Sequence, residues 1–251
     1  MPVIRRKPDR RVQHLRRWLV RLLVRRHAIL LLFVAGCSSP TAPTPTTAVI
    51  PTTPVIVAPP VATPPVNPLL SDPRFDLTFY HQLTTRPLYR WNQPPRVYLR
   101  TVDDGARPVD AGLIEQTAAA LINTAGQWSG GAFGLAGLER GTDTRQGQAG
   151  WVTVTWTTAG VCGATVLTGA TAVQEITHAV IAMNHARPEC TCGPIVATHE
   201  LGHAMGYQHT DSPSDVMVAE FATGLCSKPL SDREQFHAKV AYSFPAGSLA
   251  P

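Results

Sequence analysis

The chain alternates apolar and polar residues in several short runs, which is the spacing of half-buried β-strands. Residues 96–102 (RVYLRTV) form one such run, closed by an Asp-Asp-Gly turn, and residues 151–157 (WVTVTWT) form a second. Two further apolar runs, at residues 164–167 and 173–183, predict additional strands. The pattern therefore predicts a sheet built from these segments.

Residues 111–128 follow a different period, with apolar residues recurring every three or four positions as on one face of an α-helix. Asp110 is placed to cap this helix, and Gly130 and Gly131 are placed to end it. The predicted inward stripe comprises Ile114, Ala118, Leu121, Ile122 and Ala125.

Two more helices are predicted toward the end of the chain. Pro194 opens one that runs through a histidine-rich segment, and a capping box of Ser231 and Glu234 opens the other. Phe236 and Val240 lie one turn apart behind that box. The order strand, helix, several strands, helix, loop, helix predicts an α+β domain, in which about three helices pack on a twisted mixed sheet.

Charge is distributed unevenly along the 251 residues. Residues 1–36 carry ten Lys or Arg and one acidic residue, for a net charge of +9, whereas residues 37–251 carry twelve and sixteen, for −4. The overall charge of +5 therefore belongs to the first segment. The net positive charge of the whole chain is therefore no argument for nucleic-acid binding, and no nucleic-acid partner is expected.

The basic segment has the organisation of a secretory signal peptide. Its arginine-rich region runs to Arg26, and the apolar core that follows, residues 28–35, is far shorter than the roughly 20 residues that span a bilayer. The core leads into Ala35, Gly36 and Cys37, which resemble the lipobox of bacterial lipoproteins. The resemblance implies cleavage before Cys37, acylation of that cysteine, and a lipid-anchored, extracytoplasmic position in the cell envelope. An ordinary signal with an unrelated cysteine is the alternative.

Residues 37–71 predict an extended tether. Residues 38–71 contain no charged residue and no glycine, and ten prolines lie between Pro40 and Pro68. Proline fixes φ and removes a backbone donor, which disfavours helix and central strand and favours a polyproline-II-rich conformation. Residues 72–251 are then left as one domain of ordinary size.

The domain contains four cysteines, Cys162, Cys190, Cys192 and Cys226. An even number in an exported chain predicts two disulfides. Because one residue separates Cys190 from Cys192, a bridge between them is sterically poor. One of them is expected to pair with Cys162 and the other with Cys226, and the sequence does not decide which. A structural zinc site of cysteines and histidines is disfavoured, because the cysteine pairs lack its usual spacing.

The candidate chemistry is concentrated in one segment, THELGHAMGYQHTDSPSDVM. On a helix His199 and His203 lie one turn apart on the same face, so their imidazoles can chelate a Zn²⁺ ion. Glu200 is rotated about 100° from His199, which leaves it free to reach a water beside the ion. Gly206 can adopt the left-handed conformation that ends the helix, so that His209 returns as a third ligand. Three protein ligands with one open position are typical of catalytic zinc.

The run HELGHAMGYQH matches the H-E-x-x-H-x-x-G-x-x-H signature of the metzincin zinc endopeptidases at every fixed position. The chain is similar to that family from about residue 151 to residue 242, and before that only in the order of its elements. The resemblance implies one zinc ion held by His199, His203 and His209, with Glu200 as general base in peptide-bond hydrolysis. It also implies that Met217 belongs to the family's Met-turn, beneath the histidines.

Thr210 after the third histidine, the short gap to Met217 and the later LSDREQF helix are most similar to the matrixin branch of the family. Ala219 stands where the astacin branch has a tyrosine ligand, and we find no cysteine-switch motif. The family layout implies that residues 218–230 wall the pocket for the substrate side chain after the cut, with Cys226 holding this loop. An extended protein or peptide substrate is expected to add to an edge strand.

Other residues receive ordinary interpretations. His178 and His185 are expected to be sheet or surface histidines, and Glu175 a solvated carboxylate. A calcium-binding role for Glu175 is the alternative, and no further residue pattern supports it. Two alternative functions stay open: a zinc-binding envelope lipoprotein without turnover, and a zinc amidase acting on cell-wall peptides. The presence of Glu200 favours turnover over the first alternative.

Overall fold

The computed structural model describes residues 67–143, 145–187, 190, 193–220, 226–249 and 251. These residues all belong to one compact unit, Ala62–Pro251. The predicted signal peptide, the predicted acylation site Cys37, most of the tether and Cys192 lie outside the described residues, so the predictions for them stay predictions. No helix within the described ranges combines the length and the apolar character needed to cross a bilayer.

In the described part of the chain, five strands form one mixed sheet in the order β2-β1-β3-β5-β4. The three parallel pairings are β1 with β2, β1 with β3, and β3 with β5, while the edge strand β4 runs antiparallel to β5. The strands are β1 (Arg96–Asp103), β2 (Gly137–Gly141), β3 (Trp151–Thr157), β4 (Gly163–Ala170) and β5 (Ile176–Asn184). The predicted mixed sheet is confirmed.

Four α-helices accompany the sheet within these same residues: α1 (Leu77–Leu83), α2 (Ala111–Trp128), α3 (Gly193–Ala204) and α4 (Asp232–Tyr242). α3 packs against α2 and across β4 and β5, whereas α4 contacts α1 and α2. The prediction of about three helices was one short, because α1 has only seven residues and shows too little periodicity to be found. The α and β content of the predicted class is confirmed.

α2 has the predicted bounds and the predicted ends. The side chain of Asp110 accepts a hydrogen bond from the N–H of Leu113, and Gly130 and Gly131 both adopt positive φ after the last turn. Ile122 was predicted to be buried and is 53% exposed. The buried face instead contains Thr117 and the other predicted residues, and Ile122 lies beyond its edge because it is rotated about 100° from Leu121.

Strand boundaries differ from the sequence prediction at the β4–β5 hairpin. The segment predicted as a strand from residue 173 pairs only from Ile176, since Gln174 has a φ of 57° in the turn. β2 was not predicted, because its sequence GLERG has no apolar alternation and depends on pairing with β1. A hairpin turn and a tertiary pairing therefore decide these boundaries.

The last residues of the predicted tether belong to the folded domain. Pro68–Ser71 form a 3-10 turn in which the side chain of Asn67 accepts the N–H of Leu69. Leu69 and Leu70 pack against the core. An extended conformation was expected here, and burial of these two leucines favours the turn instead.

Hydrogen bonds from two buried tryptophans fix α3 within the core. Trp128 Nε1 donates to the carbonyl oxygen of Thr198 at 2.9 Å, and Trp91 Nε1 donates to that of Ala204 at 2.8 Å. Tyr207 Oη donates in turn to the carbonyl oxygen of Trp128 at 2.7 Å. Because buried polar groups are costly to leave unpaired, these bonds favour one placement of α3 under the sheet.

Candidate metal centre

Three imidazole rings meet at the C-terminal half of α3. The Nε2 atoms of His199 and His203 are 3.1 Å apart, those of His199 and His209 3.2 Å, and those of His203 and His209 3.0 Å. Two of the rings come from successive turns of α3 and the third from the segment after it. The structure thus brings together the three histidines predicted as ligands, and this group could hold a metal ion.

Backbone carbonyls orient two of the rings. His199 Nδ1 lies 2.7 Å from the carbonyl oxygen of Val216, and His203 Nδ1 lies 2.8 Å from that of Tyr207. Since a carbonyl oxygen only accepts, each Nδ1 carries the hydrogen, and Nε2 of the neutral ring keeps its lone pair for a metal.

Burial favours the neutral, metal-binding form of the same two rings. It lowers the pKa of His199 to about 4, and it also lowers the pKa of His203. The neighbouring imidazoles act in the same direction, while the bonds to the two carbonyls oppose it. Both rings are therefore ready to bind a cation at neutral pH.

The chain leaves α3 through Gly206. This residue has a φ of 103°, and a Cβ in its place would collide with the carbonyl oxygen of Tyr89. Glycine is therefore required both for the backbone conformation and for the close approach of another segment. The sequence predicted the turn at Gly206 from its left-handed conformation. The close approach of the Tyr89 backbone, which also requires glycine here, is seen only in the structure.

Contacts with α1 place the third histidine. Tyr207 forms an isolated antiparallel bridge with Thr84, and the N–H of Gln208 donates to the carbonyl oxygen of Leu83 at 2.8 Å. His209 follows directly. The end of α1, a helix that was not predicted, therefore directs the segment that carries this ring.

Glu200 is buried on α3 and points toward β4. It is 5% exposed, and its Oε2 accepts a hydrogen bond of 2.6 Å from Thr165 Oγ1. Burial raises the pKa of Glu200 to about 7, and the bond from Thr165 works against that shift. A carboxyl group whose pKa is near neutrality can both take and return a proton.

Met217 is completely buried and packs against α3. Its Sδ occupies the space that a side chain at Gly202 would need. The backbone of the turn is held on both sides, because Met217 N–H donates to Glu234 Oε1 at 2.9 Å and Met217 O accepts from Thr210 N–H at 2.8 Å. The methionine therefore lies directly under the helix that carries two of the histidines.

Asp215, which sequence reasoning did not single out, holds this turn together. Its carboxylate is buried and accepts hydrogen bonds from Arg233 Nε, Ser231 Oγ and Thr210 Oγ1, each 2.9 Å long. Burial by itself raises the pKa of Asp215, but these bonds, that from Arg233 foremost, keep it below its usual value. The one sequence feature that could have drawn attention to Asp215 is its position, as a charged residue directly before the apolar pair Val216 and Met217.

A disulfide joins Cys162 to Cys190, with Cα atoms 4.8 Å apart. It links the beginning of β4 to the residues just before α3, and it confirms one of the predicted bridges. Cys226 is also disulfide-bonded, and its predicted partner lies outside the described residues. The bridge between Cys162 and Cys190 holds the strand that contacts Glu200 to the start of the helix that carries it.

Part of the predicted pocket wall, residues 221–225, lies outside the described residues. Within the part that is described, Lys228 Nζ donates to the carbonyl oxygens of Pro213 and Asp215 at 2.5 and 2.8 Å. This ammonium ties the returning segment to the loop between the third histidine and Met217.

His178 and His185 take no part in the three-histidine group. His178 Nδ1 lies 3.2 Å from Thr177 Oγ1, and His185 Nε2 lies 3.4 Å from Asp103 Oδ2. In the residues that the structure describes, the group of His199, His203 and His209 is the one cluster suited to a metal, so Glu175 belongs to no such cluster.

No family model matches this chain, and no curated protein matches it either. The chemical capacity of the site is therefore argued from its own residues: three imidazole nitrogens directed at one point, and a buried carboxyl group on the helix that carries two of the rings.

Proposed function

We propose that this chain is a membrane-tethered, extracytoplasmic zinc endopeptidase with a metzincin-like active site of the matrixin type. One observation carries the proposal. The three Nε2 atoms lie within 3.2 Å of one another. Glu200, the residue after His199 on α3, has a buried carboxyl group.

The donor set fits zinc. Zinc–nitrogen bonds of about 2.0–2.1 Å place two ligands of a tetrahedral ion about 3.3 Å apart, and the Nε2 atoms are separated by 3.0–3.2 Å. Neutral imidazoles suit zinc, whereas calcium and magnesium prefer oxygen ligands. Three protein ligands leave a fourth position for the reaction.

Zinc bound here would polarise a peptide carbonyl and lower the pKa of water toward neutrality. Glu200 supplies the proton transfer, taking a proton from the attacking water and delivering it to the leaving amine. A pKa of about 7 suits both directions of this transfer, because neither protonation state is strongly favoured. Burial of Glu200 keeps its proton from exchanging freely with bulk water.

The position of β4 supports an extended peptide as substrate. β4 forms the edge of the sheet and is paired there with β5. It also contacts Glu200 through Thr165. A peptide added to the free edge of this strand takes main-chain hydrogen bonds beside the general base. Tethering through acylated Cys37 would hold this cleft near a membrane surface.

The test uses the full chain, purified in detergent, with a mixed peptide library and metal analysis. We expect about one zinc per chain and cleavage that a chelator stops. Glu200→Gln should keep its zinc and lose at least about 100-fold in kcat, since a positioned base contributes that much or more. The matched control is Glu115→Gln, on the exposed side of α2, which should behave as the parent.

Other outcomes would redirect the proposal. Full zinc content with no cleavage of any peptide favours the envelope lipoprotein without turnover, and cleavage of wall peptides alone favours the amidase. For the anchor, Cys37→Ser should release the chain from the membrane fraction. Unchanged fractionation of that variant would contradict lipid anchoring.

A further inference from the structure

We propose that Thr165 is a positioning residue that holds the carboxylate of Glu200 on β4, in the place from which it acts. This inference rests on the proposed function, because it concerns the general base of the same site. The hydrogen bond itself was not predicted from the sequence, in which the two residues are 35 positions apart.

Thr165 lies on the row of β4 that faces α3. The side chains of this strand alternate between half-buried and exposed, and Thr165 belongs to the half-buried row. Its Oγ1 is 2.6 Å from Glu200 Oε2 and 3.0 Å from the backbone oxygen of Glu200. A threonine hydroxyl has one hydrogen, and the shorter contact, to an acidic group, is the stronger of the two.

Gly163 holds the other side of the same carboxyl group. It is two residues before Thr165 in the same row, and a Cβ at Gly163 would collide with Glu200 Oε1 and lie 2.7 Å from Glu200 Cδ. The backbone of β4 therefore forms a wall against one oxygen, while Thr165 bonds the other. A glutamate without such contacts samples several rotamers.

The strand that supplies both contacts is fixed relative to α3. The disulfide between Cys162 and Cys190 joins the residue before Gly163 to the segment before α3. Both hydrogen-bond contacts that the structure gives for Thr165 Oγ1 are with Glu200, at its carboxylate and its backbone oxygen. Loss of the Thr165 hydroxyl should therefore displace Glu200 without removing a metal ligand.

The decisive variants are Thr165→Val, which keeps the shape and removes the hydroxyl, and Thr165→Ser, which keeps it. Because a misplacement of about 1 Å can cost about 100-fold, Thr165→Val should lose about 10- to 100-fold in kcat. KM should stay within about 2-fold, and zinc content should be unchanged. Thr165→Ser should retain most of the parental kcat. The control is Thr142→Val, an exposed threonine just after β2, at the opposite edge of the sheet from β4.

A second readout does not depend on activity. The full chain, labelled with ¹³C at the glutamate Cδ, gives a carboxyl resonance for Glu200 that the Glu200→Gln variant identifies by its loss. Thr165→Val should move this resonance, and Thr142→Val should leave it in place. If the chain cleaves no peptide, the proposed function fails, and this shift still decides whether Thr165 holds Glu200.

Three results would overturn the inference. The first is a Thr165→Val variant with the parental kcat. The second is an unmoved Glu200 resonance in that variant. The third is a loss of kcat in Thr165→Ser as large as that in Thr165→Val, which would point to packing of the methyl group instead of hydrogen bonding.

Discussion

His199 Nδ1 lies 2.7 Å from the carbonyl oxygen of Val216, the residue directly before Met217. One end of this imidazole is thus tied to the turn below α3, while its other end faces the two remaining rings. The turn is itself held to α4, since Glu234 accepts the N–H of Met217. The orientation of a candidate metal ligand therefore depends on a helix that begins more than thirty residues later in the chain.

Removal of the third ring should abolish metal binding. His209→Ala leaves two imidazoles on α3, and a two-ligand site binds zinc far more weakly than a three-ligand site. We expect the zinc content to fall from about one per chain to less than about a tenth after dialysis. His178→Ala, which removes an imidazole from the sheet, is the control and should keep its zinc. Full zinc in His209→Ala would contradict the assignment.

Gly206 should tolerate alanine much less well than Gly131 does. Both residues have positive φ, but a Cβ at Gly131 meets open space, whereas one at Gly206 collides with the carbonyl oxygen of Tyr89. Gly131→Ala should lose about 1–2 kcal/mol of unfolding free energy from the backbone conformation alone. Gly206→Ala should lose at least about 3 kcal/mol and part of its zinc. Urea unfolding measures both, and equal losses would show that the collision is relieved cheaply.

Asp215 should contribute more to stability than an exposed acidic residue with a similar partner. Asp215→Asn removes the negative charge that pairs with Arg233 and weakens a buried hydrogen-bond network. Because the Arg233 side chain is 39% exposed, water can compensate part of this loss. The variant should therefore lose about 2–3 kcal/mol of unfolding free energy. Glu139→Gln removes the partner of Arg96 from an exposed ion pair and should lose less than about 1 kcal/mol. Similar losses in the two variants would refute a special role for the buried carboxylate.

The contribution of Asp215 should disappear in acid. Its pKa in the folded protein lies below its usual value, so its ionised form stabilises the fold above the pKa of the unfolded chain, and this stabilisation is lost as the pH falls. The difference in unfolding free energy between the parent and Asp215→Asn should therefore be constant above about pH 5 and shrink as the pH falls below the ordinary aspartate pKa of about 3.9. A difference that grows as the pH falls would mean that the pKa is raised instead.

The disulfide between Cys162 and Cys190 should be a main source of stability. It closes a loop with a sequence separation of 28, for which the loss of chain entropy in the unfolded state corresponds to about 3–4 kcal/mol. The double variant Cys162→Ser, Cys190→Ser should lose a free energy of that order in urea unfolding. Cys37→Ser, which removes a cysteine outside the described domain, is the control. An unchanged midpoint in the double variant would contradict the prediction.

Elements with a strong local pattern were predicted with their observed bounds. α2 and β3 agree residue for residue, because a helical or alternating period over seven or more positions reflects burial of one face. α1 and β2 were missed because they are short and take their conformation from contacts with other segments. Ile122 was wrongly predicted to be buried for a related reason. The local period shows which side of α2 faces the core, but it does not show how many neighbouring positions on that side are covered.

The sequence by itself determined the three histidines, the carboxyl group beside them and the glycine that ends their helix, because helix geometry fixes how residues one turn apart are oriented. Only the tertiary structure decided what holds these groups in place: Thr165 against Glu200, Asp215 against Arg233, and the carbonyl oxygen of Tyr89 against Gly206. Each of these contacts joins segments that are distant in the chain. Their meeting depends on how the whole domain packs, which no local period encodes.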